Sequence, residues 1–255
     1  IFLLNLPLGA LLAWVTIAGV RESRSESRPA LDAAGVATFT LGCFLVVFAL
    51  IRGNAEGWGS PIIAGSLIAG AASLAAFCLV ELRSEGPMLD PRLFRIPAFS
   101  GTAIVAFAQS FALYPLFLFI AIYFQNLLGF TPLQTGVRLL PLTVALFVMA
   151  PVSGALTSRV PLKYLLGLGL ALIGAGLLLM RSVTTTSDWT ALLPGFLVGG
   201  AGIGVISPAL AAAMVGVLSE TKTGLASGVN NTFRQLGIAV GIAALGAIFQ
   251  HRLGA

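Results

Sequence analysis

The stretch Gly224-Leu-Ala-Ser-Gly-Val-Asn-Asn-Thr-Phe-Arg-Gln-Leu-Gly-Ile-Ala-Val-Gly241 sets Asn230, Asn231, Thr232, Arg234 and Gln235 into the first half of an apolar run that reaches about Phe249. Amides, a hydroxyl and a guanidinium offer hydrogen bonding and charge pairing. At helical spacing Ser227, Asn231 and Gln235 stand at i, i+4 and i+8 on one face, and Asn230 sits one turn before Arg234. The run is long enough to cross a bilayer, for which about 20 mostly apolar residues suffice. Polar groups have no partners in hydrocarbon, so this face must look into protein or a water-filled cavity. One spanning helix with a polar face therefore requires a bundle around it.

Composition sets the class. The chain of 255 residues is 58% hydrophobic and 9% charged, with a mean hydropathy of +1.01. Soluble domains carry roughly a quarter charged residues, so the expected architecture is an all-α polytopic membrane protein. The net charge of +5 does not mark a nucleic-acid binder. Its basic residues are scattered through loops, with no basic stripe interleaved with aromatics. Cys43 and Cys78 fall in apolar segments at depths roughly 15 Å apart, beyond the reach of a disulfide, and read as small core residues. The chain opens at Ile1 inside an apolar run, which reads as truncated at the front.

Eight hydrophobic spans follow in order: residues 1–20, 31–51, 61–80, 99–124, 136–157, 162–180, 189–218 and 224–249. Alternate loops divide the Lys and Arg residues unevenly. Nine lie on one side (Arg21, Arg24, Arg28, Arg83, Arg92, Arg95, Arg159, Lys163 and Lys222). Arg52, Arg181 and Arg252 lie on the other, with Arg138 near its edge. The richer side is expected to be cytoplasmic, which puts Trp58 and Trp189 at the outer interface where indole rings prefer to sit. The connector Pro87–Phe99, apolar and basic and broken by prolines, reads either as a kinked segment on the inner leaflet or as a plain linker.

Three groups of residues inside the spans are candidates for function. The fourth span carries Gln109, Ser110 and Tyr114 amid Phe107, Phe111, Phe117 and Phe119. Aromatic walls with a few hydrogen-bonding groups suit a lipophilic or cationic guest, although each Phe could equally face lipid or core. The seventh aligns Gly200, Gly204, Ser207, Pro208 and Ala211 in a smooth stripe. Such a stripe serves close helix packing and bending, or substrate contact. Arg234, about 15 Å deep at 1.5 Å per residue, is the most exacting single residue. An arginine at helix centre costs roughly 2.5–3.5 kcal/mol on insertion scales. None of the nine Asp and Glu residues falls in the middle of a span. Carbonyls, amides, cavity water or a carboxylate on another part of the protein must meet it, in a structural clamp or in a gating role.

Enzymatic readings find no support. There is no His/Cys/Asp/Glu cluster at metal spacing, no Ser–His pair within a span and no phosphate loop. The Gly-x-Gly-x-Gly within residues 200–204 lacks the preceding strand a dinucleotide site needs. No metal or organic cofactor is expected. A channel is the rival from another class, but no repeated pore loop or charged ring is present.

The pattern Gly-Leu-Ala-Ser-Gly-x-x-Asn-Thr-x-Arg-Gln-x-Gly at 224–237 resembles the penultimate helix of fourteen-helix drug–proton antiporters of the major facilitator superfamily (EmrB/QacA type). Three further stretches are similar to that family. Ile1–Gly9 resembles its sixth helix, Pro87–Phe99 the connector before its ninth, and Tyr123–Pro141 the turn between its ninth and tenth. The resemblance implies a chain covering helices six to thirteen. Residues 1–20 would be the last helix of the amino-terminal half. Residues 21–97 would hold a linker, an extra helix pair and a cytoplasmic connector, and residues 98–255 five of six helices of the carboxy-terminal half. The fourth and seventh spans would line a substrate cavity with Gln109, Ser110, Phe111, Tyr114 and Ser207. The fifth and eighth would face the other half, with Ser227, Asn230, Asn231, Arg234 and Gln235 as the seam. Gly200, Gly204, Gly224, Gly228, Gly237 and Gly241 would be packing glycines. A degenerate copy of the family's loop motif reads Gly154-Ala-Leu-Thr-Ser158-Arg159-Val-Pro161-Leu-Lys163, with Ser158 where the acid of its gating salt bridge would stand.

The resemblance implies proton-driven efflux of lipophilic or cationic small molecules by alternating access across the cell membrane. A lipid, glycolipid or metabolite exporter on the same fold is the alternative. No residue within these spans can carry the proton, and His251 is expected at a solvated helix end. The expected partners are the small-molecule cargo, protons, the bilayer and the missing amino-terminal half of the same protein.

Overall fold

The computed structural model describes residues 3, 5–19, 32–84, 87, 89, 91–184, 187–217 and 223–253. The described residues are helical, with no strand among them. The helices are α1 (Asn5–Gly19), α2 (Ala33–Glu56), α3 (Pro61–Arg83), α4 (Pro97–Ile122), α5 (Pro132–Leu156), α6 (Leu162–Leu179), α7 (Leu193–Val217) and α8 (Thr223–Leu253). Short 3-10 turns occupy Pro91–Arg95, Met180–Ser182 and Trp189–Leu192, and a π turn spans Tyr123–Leu127.

Helix starts follow local chemistry. Proline stands at or near the first position of α3, α4 and α5, where its missing N–H would have had no intrahelical partner. Thr131 and Gln134 close a reciprocal capping box on α5, each side chain bonding the other's backbone N–H. Asp32 caps α2 by accepting from the Gly35 N–H at 2.8 Å. Gly57 ends α2 at φ +86°, a conformation that favours glycine.

Seven helices are long and apolar enough to cross a membrane. An eighth apolar helix, α1, has 15 described residues within the expected first span. Residues 1–31 and 32–255 form two compact units. The calls on Arg21, Arg24, Arg28 and Lys222 lie outside the described residues, as does the side chain of His251.

Within residues 32–255, α7 is wedged between α5 and α6, α8 lies along α4, and α2 pairs with α3 and also reaches α8. The most apolar window of α7 is 61% buried, against 11–39% in the other six spans. Lipid-exposed helices gain nothing from hiding apolar side chains from hydrocarbon, so contact between them depends on shape and on hydrogen bonds. The helix interfaces supply both. A Cβ at Gly176 would sit 2.7 Å from the Gly199 nitrogen, and one at Gly202 would sit 2.7 Å from the Gly169 carbonyl oxygen. On the opposite side of α7, Gly200 abuts the Leu142 carbonyl and Gly204 would place a Cβ 2.6 Å from that of Leu146. Between α4 and α8, Gly237 abuts the Phe107 carbonyl, and a Cβ at Gly241 would sit 2.6 Å from that of Phe111. Buried hydroxyls add inter-helix bonds. Ser153 of α5 donates to the Val205 carbonyl of α7 at 2.7 Å, and Ser73 of α3 donates to the Thr38 carbonyl of α2 at 2.8 Å.

The described part of the connector is docked on protein. Leu89 is buried, its N–H donates to Glu81 Oε2 at 3.2 Å, and Leu93 and Phe94 pack against Phe77, Phe99 and Val229. Leu89, Leu93 and Phe94 thus pack on the bundle, while Ile96 remains exposed. At the other end, Arg138 lies 3.7 Å over the Phe130 ring and 5.5 Å from the Trp189 ring. That cation–π arrangement, worth about 0.5–2 kcal/mol, ties the start of α5 to the turn leading into α7.

The glycine contacts separate two otherwise identical substitutions on α6. Gly176→Ala drives a methyl into the α7 backbone and should destabilise the bundle by about 1–3 kcal/mol. Nothing lies within 4 Å of a Cβ at Gly174, so Gly174→Ala should be neutral or gain about 0.5–1 kcal/mol of helix propensity. Thermal unfolding of the two variants in detergent, followed by scanning fluorimetry, checks the sign of each.

Candidate functional site

The polar residues of α8 divide into two groups. Asn231 and Gln235 are exposed and line a cleft of about 630 Å³ against Phe39, Thr40, Phe44 and Phe48 of α2. Asn230 and Arg234 turn the other way, toward α4 and α7, where they line a second cleft of about 360 Å³. Helix geometry forces the split, since successive residues are about 100° apart and Asn230 and Asn231 cannot share a face. Ser227 is exposed and lines neither cleft.

The second cleft gathers Gln109, Ser110 and Tyr114 from α4, Ser207 from α7, and Asn230 and Arg234 from α8, with Ile203, Leu210, Ala211 and Met214 as its apolar wall. On α4 the three polar residues sit within six positions and so project onto one side of the helix. Arg234 Nη2 donates to the Tyr114 hydroxyl at 3.3 Å, joining α8 to α4. Ser207 donates to the Ile203 carbonyl at 2.8 Å, one turn back on its own helix. Asn230 is 8% exposed, and its Nδ2 has no hydrogen-bond partner among the described residues. Ser110 is buried, Gln109 half-buried, and Tyr114 and Arg234 are exposed at the mouth. Among the described residues no Asp or Glu lines this cleft.

Four placements differ from those expected of the sequence. Phe111 lies outside the cleft: its ring stacks on Phe107 at 6.0 Å, and its backbone abuts Gly241 of α8. The close approach that Gly241 permits turns this stretch of α4 toward α8, so the ring packs between helices. Gly224 and Gly228 make no close contact with a described residue: none lies within 4 Å of a Cβ at either, and both border an apolar cavity of about 490 Å³. That cavity also touches Cys43 and Cys78, which are free thiols. α8 also enters the wall that the resemblance assigned to the fourth and seventh spans alone, because Asn230 and Arg234 lie on its α4-facing side. Finally, Arg234 is met by a tyrosine hydroxyl, a partner outside the expected set. The signal for it was present in the sequence as a tyrosine among polar residues of α4, but only packing shows that it reaches α8.

In the degenerate loop motif, Ser158 donates to the Ala155 carbonyl at 3.1 Å, and Thr157 to the Gly154 carbonyl at 2.7 Å. Arg159 is exposed and forms no ion pair with a described residue, and Lys163 lies 5.0 Å from the Tyr164 ring. The loop is thus held by helix-terminal hydrogen bonds. Gly154 itself faces Pro208 of α7, at 3.9 Å from where a Cβ would be.

Seven apolar helices around a hydrogen-bonding cleft define a multi-pass helical membrane protein. The chain belongs to the Major Facilitator Superfamily, which residues 1–242 match. It is 32% identical over 256 residues to the multidrug resistance protein Stp of Mycobacterium tuberculosis, covering 100% of this chain and 47% of that protein. It is 34% identical to the methylenomycin A resistance protein of Streptomyces coelicolor, covering 97% and 52%. It is 31% identical to the tetracenomycin C resistance and export protein of Streptomyces glaucescens, covering 100% and 47%. The chain spans about half the length of these curated relatives.

Cysteine accessibility separates the cleft from the packed aromatic pair. With Cys43 and Cys78 replaced by serine, Tyr114→Cys should react with a charged, water-soluble methanethiosulfonate, and Phe111→Cys should react far more slowly. Equal rates, read by mass spectrometry, would place Phe111 in the same aqueous space.

Proposed function

We propose that this chain forms part of a proton-coupled secondary transporter that exports lipophilic small molecules by alternating access. The observation that carries it is the convergence of Gln109, Ser110, Tyr114, Ser207, Asn230 and Arg234 from three helices on one cleft within a superfamily bundle. Membrane polar groups facing protein or water mark substrate and ion pathways. The names of relatives as multidrug resistance and antibiotic export proteins support the same reading.

In this reading residues 98–255 supply five helices of the carboxy-terminal half, 21–97 the linker, extra pair and connector, and 1–20 the last helix of the amino-terminal half. The cleft forms this half's wall of the central site, and Arg234 with Tyr114 couples α8 to α4 as the two halves rock. Asn231 and Gln235, on the other face of α8, line the cleft beside α2. The cleft offers no carboxylate to alternate protonation, so the coupling proton is carried elsewhere in the whole transporter. The chain acts by binding and rearrangement, as a non-enzyme without a cofactor. Export of a lipid or other metabolite is the second reading, favoured by the apolar cavity of about 490 Å³ bordered by Gly224 and Gly228.

The test is dye efflux in an efflux-deficient bacterium expressing the whole transporter that carries this chain. Efflux should saturate with dye and stop on addition of a proton uncoupler. Saturating flux that ignores the uncoupler would indicate a uniporter, and flux proportional to conductance would indicate a channel. Arg234→Ala should abolish efflux while leaving membrane insertion intact, and unchanged efflux would remove Arg234 from the mechanism.

A further inference from the structure

Taking the cleft between α4, α7 and α8 to be part of the substrate path, we infer that it receives an anionic oxygen of the cargo, such as a carboxylate or phenolate on a lipophilic body. The first ground is charge. Arg234 is the one charged side chain among the described residues that lines the cleft, and no described acid faces it there. Among the described residues, Asp32, Glu56, Glu81 and Asp188 lie at or near helix ends. A positively charged guest in this cleft would meet a like charge with no acid to offset it, and like charges in a poorly screened site repel strongly.

The second ground is hydrogen-bond inventory. A guanidinium carries five N–H donors and no acceptor. Arg234 uses one, at 3.3 Å, on Tyr114. Because Tyr114 accepts that bond, its own hydroxyl proton is free to be given to a guest. One turn before Arg234, Asn230 is 8% exposed and its Nδ2 bonds to no described residue. That nitrogen is buried from the cleft, so Asn230 closes the wall and is not among the donors offered to a guest. Guanidinium and phenol thus supply donors to one space. A carboxylate accepts bidentate pairing from arginine, and such charge-assisted bonds are about twice as strong as neutral ones.

The third ground concerns aromatic faces. Cation recognition by rings needs those rings around the guest. Phe107 and Phe111 stack on each other beside Gly237 and Gly241, outside the cleft, so Tyr114 is the one aromatic residue that lines it. An anionic guest also offsets the cost of holding a guanidinium deep in the membrane, which an ammonium would increase.

Three fluorescent probes that share an anthracene body test this. They are 9-anthracenecarboxylate, 9-anthracenemethanol and 9-(aminomethyl)anthracene, titrated at neutral pH against the whole transporter that carries this chain in phosphatidylcholine nanodiscs, with protein-free discs subtracted. The carboxylate should bind about tenfold or more tighter than the ammonium. Arg234→Gln should bring that ratio close to one, and Arg234→Lys should retain part of it. Size-exclusion profile and helical circular dichroism confirm that each variant is folded. If all three probes bind alike, or the ammonium binds best, the anion preference falls while the cleft as a binding site survives. If no probe binds, the cleft reading falls and takes this inference with it. A carboxylate preference untouched by Arg234→Gln would also overturn it.

Discussion

Hydrocarbon gives a polar side chain nothing to bond to, and most of this chain's architecture answers that constraint. α8 carries amides and a guanidinium well inside its length, so it must lie against other helices or open onto water. The structure does both. Gly237 and Gly241 let α8 lie directly on α4, which brings Arg234 to the Tyr114 hydroxyl. The side turned away from α4 keeps Asn231 and Gln235 at the α2 cleft. Pairing within the membrane and access to a cavity thus come from the same helix contact.

The rest of the bundle is held by surface shape more than by apolar burial. Its large apolar side chains are widely exposed, Ile68, Phe147 and Leu178 among them, as expected where lipid solvates them as well as protein would. Association then depends on close backbone approach and on hydrogen bonds between helices. α7 shows how this works. One edge, Gly195, Gly199 and Gly202, meets α6, and another, Gly200 and Gly204, meets α5, so a helix with small residues on two sides becomes the centre of three. Ser153 then crosses to the Val205 carbonyl and adds a bond that lipid cannot replace.

The ends of the helices are fastened by different chemistry. At the basic end, Phe77, Phe99 and Val229 bury the connector's Leu89, with Phe94 stacked edge-on to Phe99. At the other end, Arg138 sits between Phe130 and Trp189, and Tyr123 donates to the Ser187 carbonyl at 2.9 Å. Midway lies the cleft, where Asn230 and Arg234 face donors and apolar groups but no acid.

The class of the protein was legible in its composition, and the spans from α2 to α8 in its hydropathy, because the length of an apolar run is dictated by bilayer thickness and needs no tertiary information. Proline and capping residues marked helix starts for the same local reason. Which residues stand together was another matter. A period of 3.6 residues puts Asn230 and Arg234 on one side of α8, yet nothing in that period says that the side faces α4 or that Tyr114 waits there. Phe111 looked like cavity wall by type, but the glycine contact at Gly241 turned its stretch of α4 into a helix interface. Gly224 and Gly228 looked like packing residues by spacing, but no described residue arrives within reach of them. Sequence spacing determines which side chains share a helix face. Only the packing of one helix against another decides what that face meets, because in lipid the choice of neighbour rests on three-dimensional fit and not on hydrophobicity.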